Sequence, residues 1–213
     1  MKYFGALLLS LFLLISCNDK NKKPYKPVSV GAINSLAVVM DNELWEGKVG
    51  DKVREHFAAP ILGLTWNEPE FSIEHMPLRV FTGMTRHRRT VLYVSLDTLD
   101  LAHIKTDLYA TPQKVGVIKG RTEEELINNI DAGADKIIAS FKSTEMEEAQ
   151  KRFLRSLNKD TILQSKFNIS LRLPSIYKVG KEEDNFIWID REIPKGTMNI
   201  IAVSYTHLDA ADD

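Results

Sequence analysis

Cysteine is nearly absent from this chain of 213 residues, which contains only Cys17. A single thiol excludes a disulfide within the chain, and it also excludes a zinc site built from several thiolates. Packing, hydrogen bonds and ion pairs must therefore hold the folded part together. The role of Cys17 has to be sought in its own surroundings.

The chain also lacks an excess of charge of either sign. Its 28 Lys and Arg residues are balanced by 29 Asp and Glu residues, which gives a formal net charge of −1. Domains that bind nucleic acid usually have a basic surplus on one face. We therefore expect no nucleic-acid partner.

Long hydrophobic runs are missing too, since the apolar segment 4–15 is well short of the roughly 20 residues that cross a bilayer. It follows Lys2 and precedes Ser16 and Cys17, which is the layout of a secretory signal. Residues 14–17 resemble the lipobox of bacterial lipoproteins, in which the cysteine accepts lipid. We predict a signal peptide over residues 1–16 and lipidation of Cys17; the alternative is an ordinary signal peptide with a chance cysteine.

Residues 17–27 are polar, rich in lysine and contain Pro24 and Pro27, which predicts a flexible linker. Two or more acyl chains, such as palmitate, hold a protein firmly on a membrane. We therefore expect a cell-envelope protein on the outer membrane, at its periplasmic or surface face. The linker lysines are interpreted as a solvated spacer, with binding to acidic head groups as the alternative.

Apolar periodicity predicts an α+β fold in which helices pack on a mixed β-sheet. In the α/β-like first half, the pattern indicates strands at residues 35–40, 71–76, 90–96 and 115–118, helices at 49–59 and 122–157, and a short helix near 78–86. In the second half it indicates antiparallel strands at residues 167–173, 186–190 and 197–203. We predict a single domain over residues 28–203.

The last ten residues, 204–213, break abruptly from the strand pattern. They resemble the read-through peptides that end truncated gene models. We expect a non-native tail here, and a native chain that continues differently.

Two groups of side chains are candidates for binding. Asp41 and Glu43 follow a predicted buried strand, where carboxylates can bind Mg²⁺ or Ca²⁺; the alternative is a simple turn. Arg86, Arg88 and Arg89 precede another strand and can receive a phosphate or carboxylate. No residue is predicted to be catalytic and no cofactor is predicted, because neither the serines nor the histidines have a catalytic spacing.

A likeness to known proteins is carried by short segments: residues 38–45 (VVMDNELW), 49–51 (VGD), 57–60 (FAAP), 68–69 (EP), 185–188 (NFIW) and 191–192 (RE). They resemble an uncharacterised lipoprotein family of the Bacteroidetes, known only as a domain of unknown function. The resemblance spans about residues 31–203. It implies a location in the envelope and a longer native chain, and it implies no activity.

Two functions follow from these observations. The first is a noncatalytic envelope lipoprotein that binds a partner protein or an envelope polymer. The alternative is a metal-assisted hydrolase acting on envelope phosphoesters or glycans. In that enzyme Asp41 and Glu43 would be the metal ligands, and Arg88 or Arg89 would bind the substrate anion.

The lipid anchor is tested by Cys17→Ser. Because the serine hydroxyl replaces the thiol that accepts the lipid, we expect the variant to lose labelling by radioactive fatty acid and to leave the membrane fraction. Its circular dichroism spectrum should match that of the natural chain. Retention of label or of membrane association would show that the first 17 residues have been misinterpreted.

Overall fold

The computed structural model describes residues 25–63, 67–194 and 196–205 of the chain. The predicted signal peptide, Cys17 and most of the predicted linker lie outside these residues, as does most of the predicted tail. Within the described residues, no helix is both long enough and apolar enough to cross a membrane.

A five-stranded mixed sheet dominates the first part of the chain. Its strands are β1 (Ser35–Val39), β2 (Ser72–Met76), β3 (Thr90–Leu96), β4 (Leu101–Thr106) and β5 (Lys114–Gly120). They lie in the order β2-β1-β3-β5-β4, with parallel pairing everywhere except between β4 and β5. Near-continuous apolar runs such as that of β3 suit a sheet covered on both faces.

Helices cover one face of this sheet. They are α1 (Asn42–Glu46), α2 (Lys48–Phe57) and α3 (Glu123–Phe153). The core on this face is formed by alternate strand residues and by the apolar stripes of α2 and α3, including Leu36, Val38, Leu92, Val94, Ile118, Val53, Phe57, Ile130 and Phe141. Two short 3₁₀ helices, Leu78–Val80 and Gly83–His87, lie between β2 and β3, where Phe81 contributes to the core on the opposite face.

Local signals explain where α3 begins and which side it buries. The Thr122 hydroxyl accepts a hydrogen bond from the Glu125 backbone N–H at 3.2 Å, while the Glu125 carboxylate accepts from the Arg121 N–H at 2.7 Å. The apolar stripe expected on the predicted helix 122–157 is confirmed for its first five members, Leu126, Ile130, Ala134, Ile137 and Phe141, which are buried, whereas its later member Phe153 is 46% exposed. The helix is continuous over 31 residues and does not restart at Ser143.

The order of the strands creates a topological switch. From β1 the chain runs to β2 on one side, and it then crosses back to β3 on the other side of β1. We call the end at which β1, β2, β3 and β5 finish the carboxyl end of the sheet, and the end at which they start the amino end. Ligands of open α/β sheets bind outside the carboxyl end, at the switch between strands.

A second, smaller sheet follows α3. Here α4 (Ile162–Phe167) precedes the antiparallel strands β6 (Lys178–Glu183), β7 (Phe186–Ile193) and β8 (Gly196–Val203), in the order β6-β7-β8. Leu163, Tyr177, Ile187 and Ile189 form a core of their own. The α+β class is therefore confirmed, with an α/β-like first half and antiparallel strands in the second, while the single domain over residues 28–203 stays a prediction.

The predicted strand at residues 167–173 is wrong. Residues 162–167 form α4, which ends at Asn168 in the left-handed conformation, with φ 55°. The residues that follow alternate in polarity without a neighbouring strand to pair with, so Ile169 and Leu171 remain 44% and 48% exposed. Conversely, β4 and β6 were not predicted, because they lie at the borders of their sheets and their sequences, LAHIKT and KVGKEE, have no regular apolar alternation.

Gly50 controls the approach of α1 to α2. A Cβ atom at this position would lie 1.9 Å from the carbonyl oxygen of Trp45. Gly50→Ala should therefore lower the free energy of unfolding by about 3 kcal/mol, because backbone must move to relieve the clash. Urea titration followed by circular dichroism measures this change.

Gly133→Ala is the matched control, since the new Cβ would meet only ordinary contacts, at 3.4 Å from Ala102 and 3.8 Å from Ile137. This substitution inside α3 should stabilise the protein by up to about 1 kcal/mol through helix propensity. Equal effects of the two substitutions would contradict the close approach of α1 and α2.

Candidate functional site at the carboxyl end of the sheet

A cleft of about 360 Å³ opens where β1 and β2 end. Its walls come from the start of α1, with Asp41, Asn42 and Glu43, and from the turn after β2, with Pro77 and Arg79. The two strands stay hydrogen bonded up to their ends, because the N–H of Met40, directly after β1, donates to the carbonyl of Met76, the last residue of β2, at 3.1 Å. Strand pairing therefore places Arg79 beside two carboxylates that lie far from it in sequence.

The charged groups of this cleft are exposed and unpaired within the described chain. Asp41 occupies the position before α1, yet its side chain makes no capping hydrogen bond. Neither Glu43 nor Arg79 forms a hydrogen bond or ion pair with another described residue. The arrangement can bind an ammonium or a metal ion on one side and a carboxylate or phosphate on the other.

The two predicted metal ligands, Asp41 and Glu43, both line this cleft. Among the described residues, however, no group of three or more His, Cys, Asp or Glu side chains is placed to hold a metal ion. Arg79 lines the same cleft, and its positive charge opposes a cation there. Metal binding by Asp41 and Glu43 stays a prediction.

Trp45 supports one wall of the cleft. Its indole stacks on the His75 ring, with the ring centroids 4.6 Å apart and the planes nearly parallel, and the Arg54 guanidinium lies over the indole at 4.4 Å. The His75 Nε2 atom lies 2.9 Å from the Met40 carbonyl oxygen. Because β2 and α2 both contact its ring, Trp45 fixes α1 over the end of the sheet.

Two other carboxylates at the carboxyl end, Asp97 and Glu125, are paired. Asp97 follows β3 and lies 2.5 Å from the Lys119 Nζ atom. The hydrogen bond from Lys119 lowers the pKa of Asp97, and the backbone N–H of Leu99 acts in the same direction. Similarly, Arg121 lies 2.9 Å from Glu125, and its hydrogen bond lowers the pKa of that carboxyl. The charges of the cleft differ from these two pairs, because they have no partner among the described residues.

The predicted arginine cluster lies at the amino end of the sheet, just before β3. Arg89 is buried, with 2% of its side chain exposed. Its Nε and Nη2 atoms lie 2.7 and 3.0 Å from the two carboxylate oxygens of Glu145, which is equally buried. Nη2 also donates to the Ala32 carbonyl at 2.8 Å. Arg89 is thus occupied by an internal ion pair.

Arg86 and Arg88 also contact protein groups. The Arg86 Nε donates to the Phe81 carbonyl at 2.9 Å, and Arg88 pairs with Glu74. Buried Gln113 organises this segment, because its side-chain amide donates to the carbonyl oxygens of Arg86 and Arg88, at 2.6 and 2.7 Å. Anion binding by Arg86, Arg88 and Arg89 stays a prediction, and Arg89 has a structural partner.

The structure does not bring the two groups of candidate residues together. Asp41 and Glu43 follow β1, whereas Arg88 and Arg89 precede β3, and these two strands are parallel. The groups are therefore separated by the length of a strand, about 20 Å. A hydrolase that holds its metal on Asp41 and its substrate anion on Arg88 has no single site here.

Comparison with known families shows that one family model covers most of the described residues. Residues 29–154 match the model of a family described as a domain of unknown function, DUF8532. This stretch includes the five-stranded sheet, α1, α2 and α3, and it exceeds half of the 213 residues. The chain belongs to this family. The expected membership of an uncharacterised family is confirmed to that extent.

Residues 156–211 match a second model, also described as a domain of unknown function, DUF4837. The junction falls directly after α3, between the DUF8532 sheet and the antiparallel sheet with its own core. Neither curated proteins nor solved structures gave a match to this chain.

Glu145 is the residue of the DUF8532 domain that the sequence interpretation missed. It lies four positions after Phe141 and continues the buried stripe of α3. A charged residue at an apolar position of a helix is itself a signal, because burial requires a partner of opposite charge. The sequence does not reveal that this partner, Arg89, lies 56 positions away.

Loss of this pair is expected to be costly. Glu145→Ala leaves the Arg89 guanidinium buried without its carboxylate, so the free energy of unfolding should fall by about 3–5 kcal/mol. Glu147→Ala is the matched control on an exposed turn of the same helix and should change it by less than about 0.5 kcal/mol. Similar urea midpoints for the two variants would contradict a structural role for Glu145.

Proposed function

We propose that this protein is a noncatalytic lipoprotein of the bacterial cell envelope that binds a charged partner in the cleft of its DUF8532 domain. Cys17 would carry the lipid and hold the protein on a membrane, with the outer membrane as the expected location. The apolar segment 4–15 and the position of Ser16–Cys17 support this anchor. The likeness to a lipoprotein family of the Bacteroidetes supports the same location.

The observation that carries the binding role is the cleft lined by Asp41, Glu43 and Arg79. It lies at the carboxyl end of the sheet, where β1 and β2 finish, and this is the end at which open α/β sheets usually bind ligands. Its three charged side chains are exposed and have no partner among the described residues, whereas neighbouring Asp97 and Lys119 are paired. These groups remain available to an incoming ligand.

The mixed charge of the cleft indicates the chemistry of the partner. Two carboxylates attract an ammonium or guanidinium group, and Arg79 attracts a carboxylate or phosphate within the same space. A partner that carries both charges close together satisfies the site better than a simple cation or anion. Peptides and envelope polymers with amino and carboxyl groups have this property.

The binding role is tested by crosslinking in intact envelopes. The full lipoprotein is compared with the double variant Asp41→Asn, Glu43→Gln, and crosslinked partners are identified by mass spectrometry. Both substitutions keep the side-chain shapes and remove the negative charges. We expect the double variant to lose at least about tenfold of the specifically recovered partner, the effect of losing about 1.4 kcal/mol.

Glu46→Gln is the matched control, because Glu46 is an exposed carboxylate on the same helix but does not line the cleft. It should leave the recovered partner unchanged. Equal recovery with the double variant, or the absence of any reproducible partner of the natural protein, would count against this function.

A further inference from the structure

The chain enters the DUF8532 domain at the amino end of the sheet. Residues 27–34, which we call the strap, lie beside the turns that precede β3 and β5. The Thr111 N–H donates to the Pro27 carbonyl at 2.9 Å, and the Ser29 N–H donates to the Thr111 carbonyl at 3.2 Å. The Val30 N–H donates to the His87 carbonyl at 2.8 Å, and the Arg89 N–H donates to the Val30 carbonyl at 3.0 Å.

Charged side chains hold the strap in this position, among them the buried pair of Arg89 and Glu145. Arg89 donates to the carbonyl oxygens of Gly31 and Ala32, and Arg152 near the end of α3 also donates to Gly31, at 3.1 Å. The Asn34 N–H donates to the Glu145 carboxylate at 2.9 Å. Because these bonds reach the centre of the ion pair, the entry point is fixed to the core of the domain.

The position of the strap determines which end of the domain a lipid anchor at Cys17 is attached to. Cys17 lies ten positions before Pro27, so the modified cysteine lies within about 35 Å of the strap even in a fully extended chain. The cleft lies at the other end of the sheet, a further strand length of about 20 Å away. The tether therefore pulls on the end of the domain that is opposite to the cleft.

The two ends of the domain also differ in charge. At the carboxyl end, acidic residues outnumber basic ones: Asp41, Glu43, Glu46, Asp97, Asp100, Glu123, Glu124 and Glu125 lie there with Lys48, Arg79, Lys119 and Arg121. At the amino end, the basic residues Lys26, Arg86, Arg88 and Lys114 outnumber the acidic residues beside them, which are Asp107, Glu147 and Glu74, the last in an ion pair with Arg88. A bilayer with anionic lipid attracts the basic end and repels the acidic end.

From the strap and this charge distribution we infer that the amino end of the DUF8532 domain faces the membrane and that the cleft faces away from it. The inference rests on the lipid anchor at Cys17 proposed above. The partner of the cleft then belongs to the aqueous phase of the envelope or to a polymer within it, and is not a lipid of the anchoring membrane.

Energy transfer from the protein to the membrane tests this orientation. The lipidated full chain is reconstituted into vesicles of phosphatidylethanolamine and phosphatidylglycerol that contain an acceptor-labelled lipid. A donor dye is placed on one introduced cysteine, which is the only free thiol because Cys17 carries the lipid. Thr111→Cys marks the amino end, Glu46→Cys marks the carboxyl end, and Asp135→Cys marks the middle of α3; all three positions are exposed.

Transfer should be greatest from position 111, intermediate from 135 and smallest from 46, with about a twofold difference between the ends for a separation near 20 Å. Equal transfer, or the reverse order, would overturn the orientation while leaving the anchor intact. If the natural chain fails to associate with vesicles, as Cys17→Ser is expected to fail, then the anchor and this orientation are both overturned. Matching circular dichroism spectra confirm that each labelled variant is folded.

Discussion

The ion pair between Arg89 and Glu145 is the interaction on which the DUF8532 domain depends most. Moving two charges out of water costs several kcal/mol for each ion, and only complete hydrogen bonding offsets that cost. Here the guanidinium reaches two carbonyl oxygens besides the carboxylate, and the carboxylate also accepts from Asn34. The pair therefore fixes the start of β3, the strap before β1 and the second half of α3 relative to one another.

Periodicity predicted those parts of the fold whose burial is decided locally. The strands β1, β3 and β5 are covered on both faces and read as apolar runs, and α3 has a stripe that could only be helical. The border strands β4 and β6 are different, because their pairing depends on a neighbour rather than on their own apolar residues. The alternation at residues 167–173 predicted a strand that does not form, because no neighbouring strand is present there to pair with it.

The candidate site was predictable in part. Asp41 and Glu43 could be recognised because they directly follow a buried strand, and this position places them at the carboxyl end of the sheet. Arg79 could not be recognised, because the pairing of β1 with β2 brings it to the cleft. The arginine run was predicted to be available for an anion, because its sequence shows no acidic neighbour. The carboxylate that pairs with Arg89 lies far away in the sequence, on α3.

Buried and exposed charges of this domain differ in what they contribute to the free energy of unfolding. A buried arginine without its carboxylate would destabilise the fold, so Arg89 and Glu145 are explained by stability alone. Exposed and unpaired charges are solvated by water, and their contribution to stability is close to zero. Asp41, Glu43 and Arg79 therefore have no evident role in holding the fold together, although strand pairing and the Trp45 stack bring them into one cleft. Charges that the scaffold positions but does not use are the ones available for recognition.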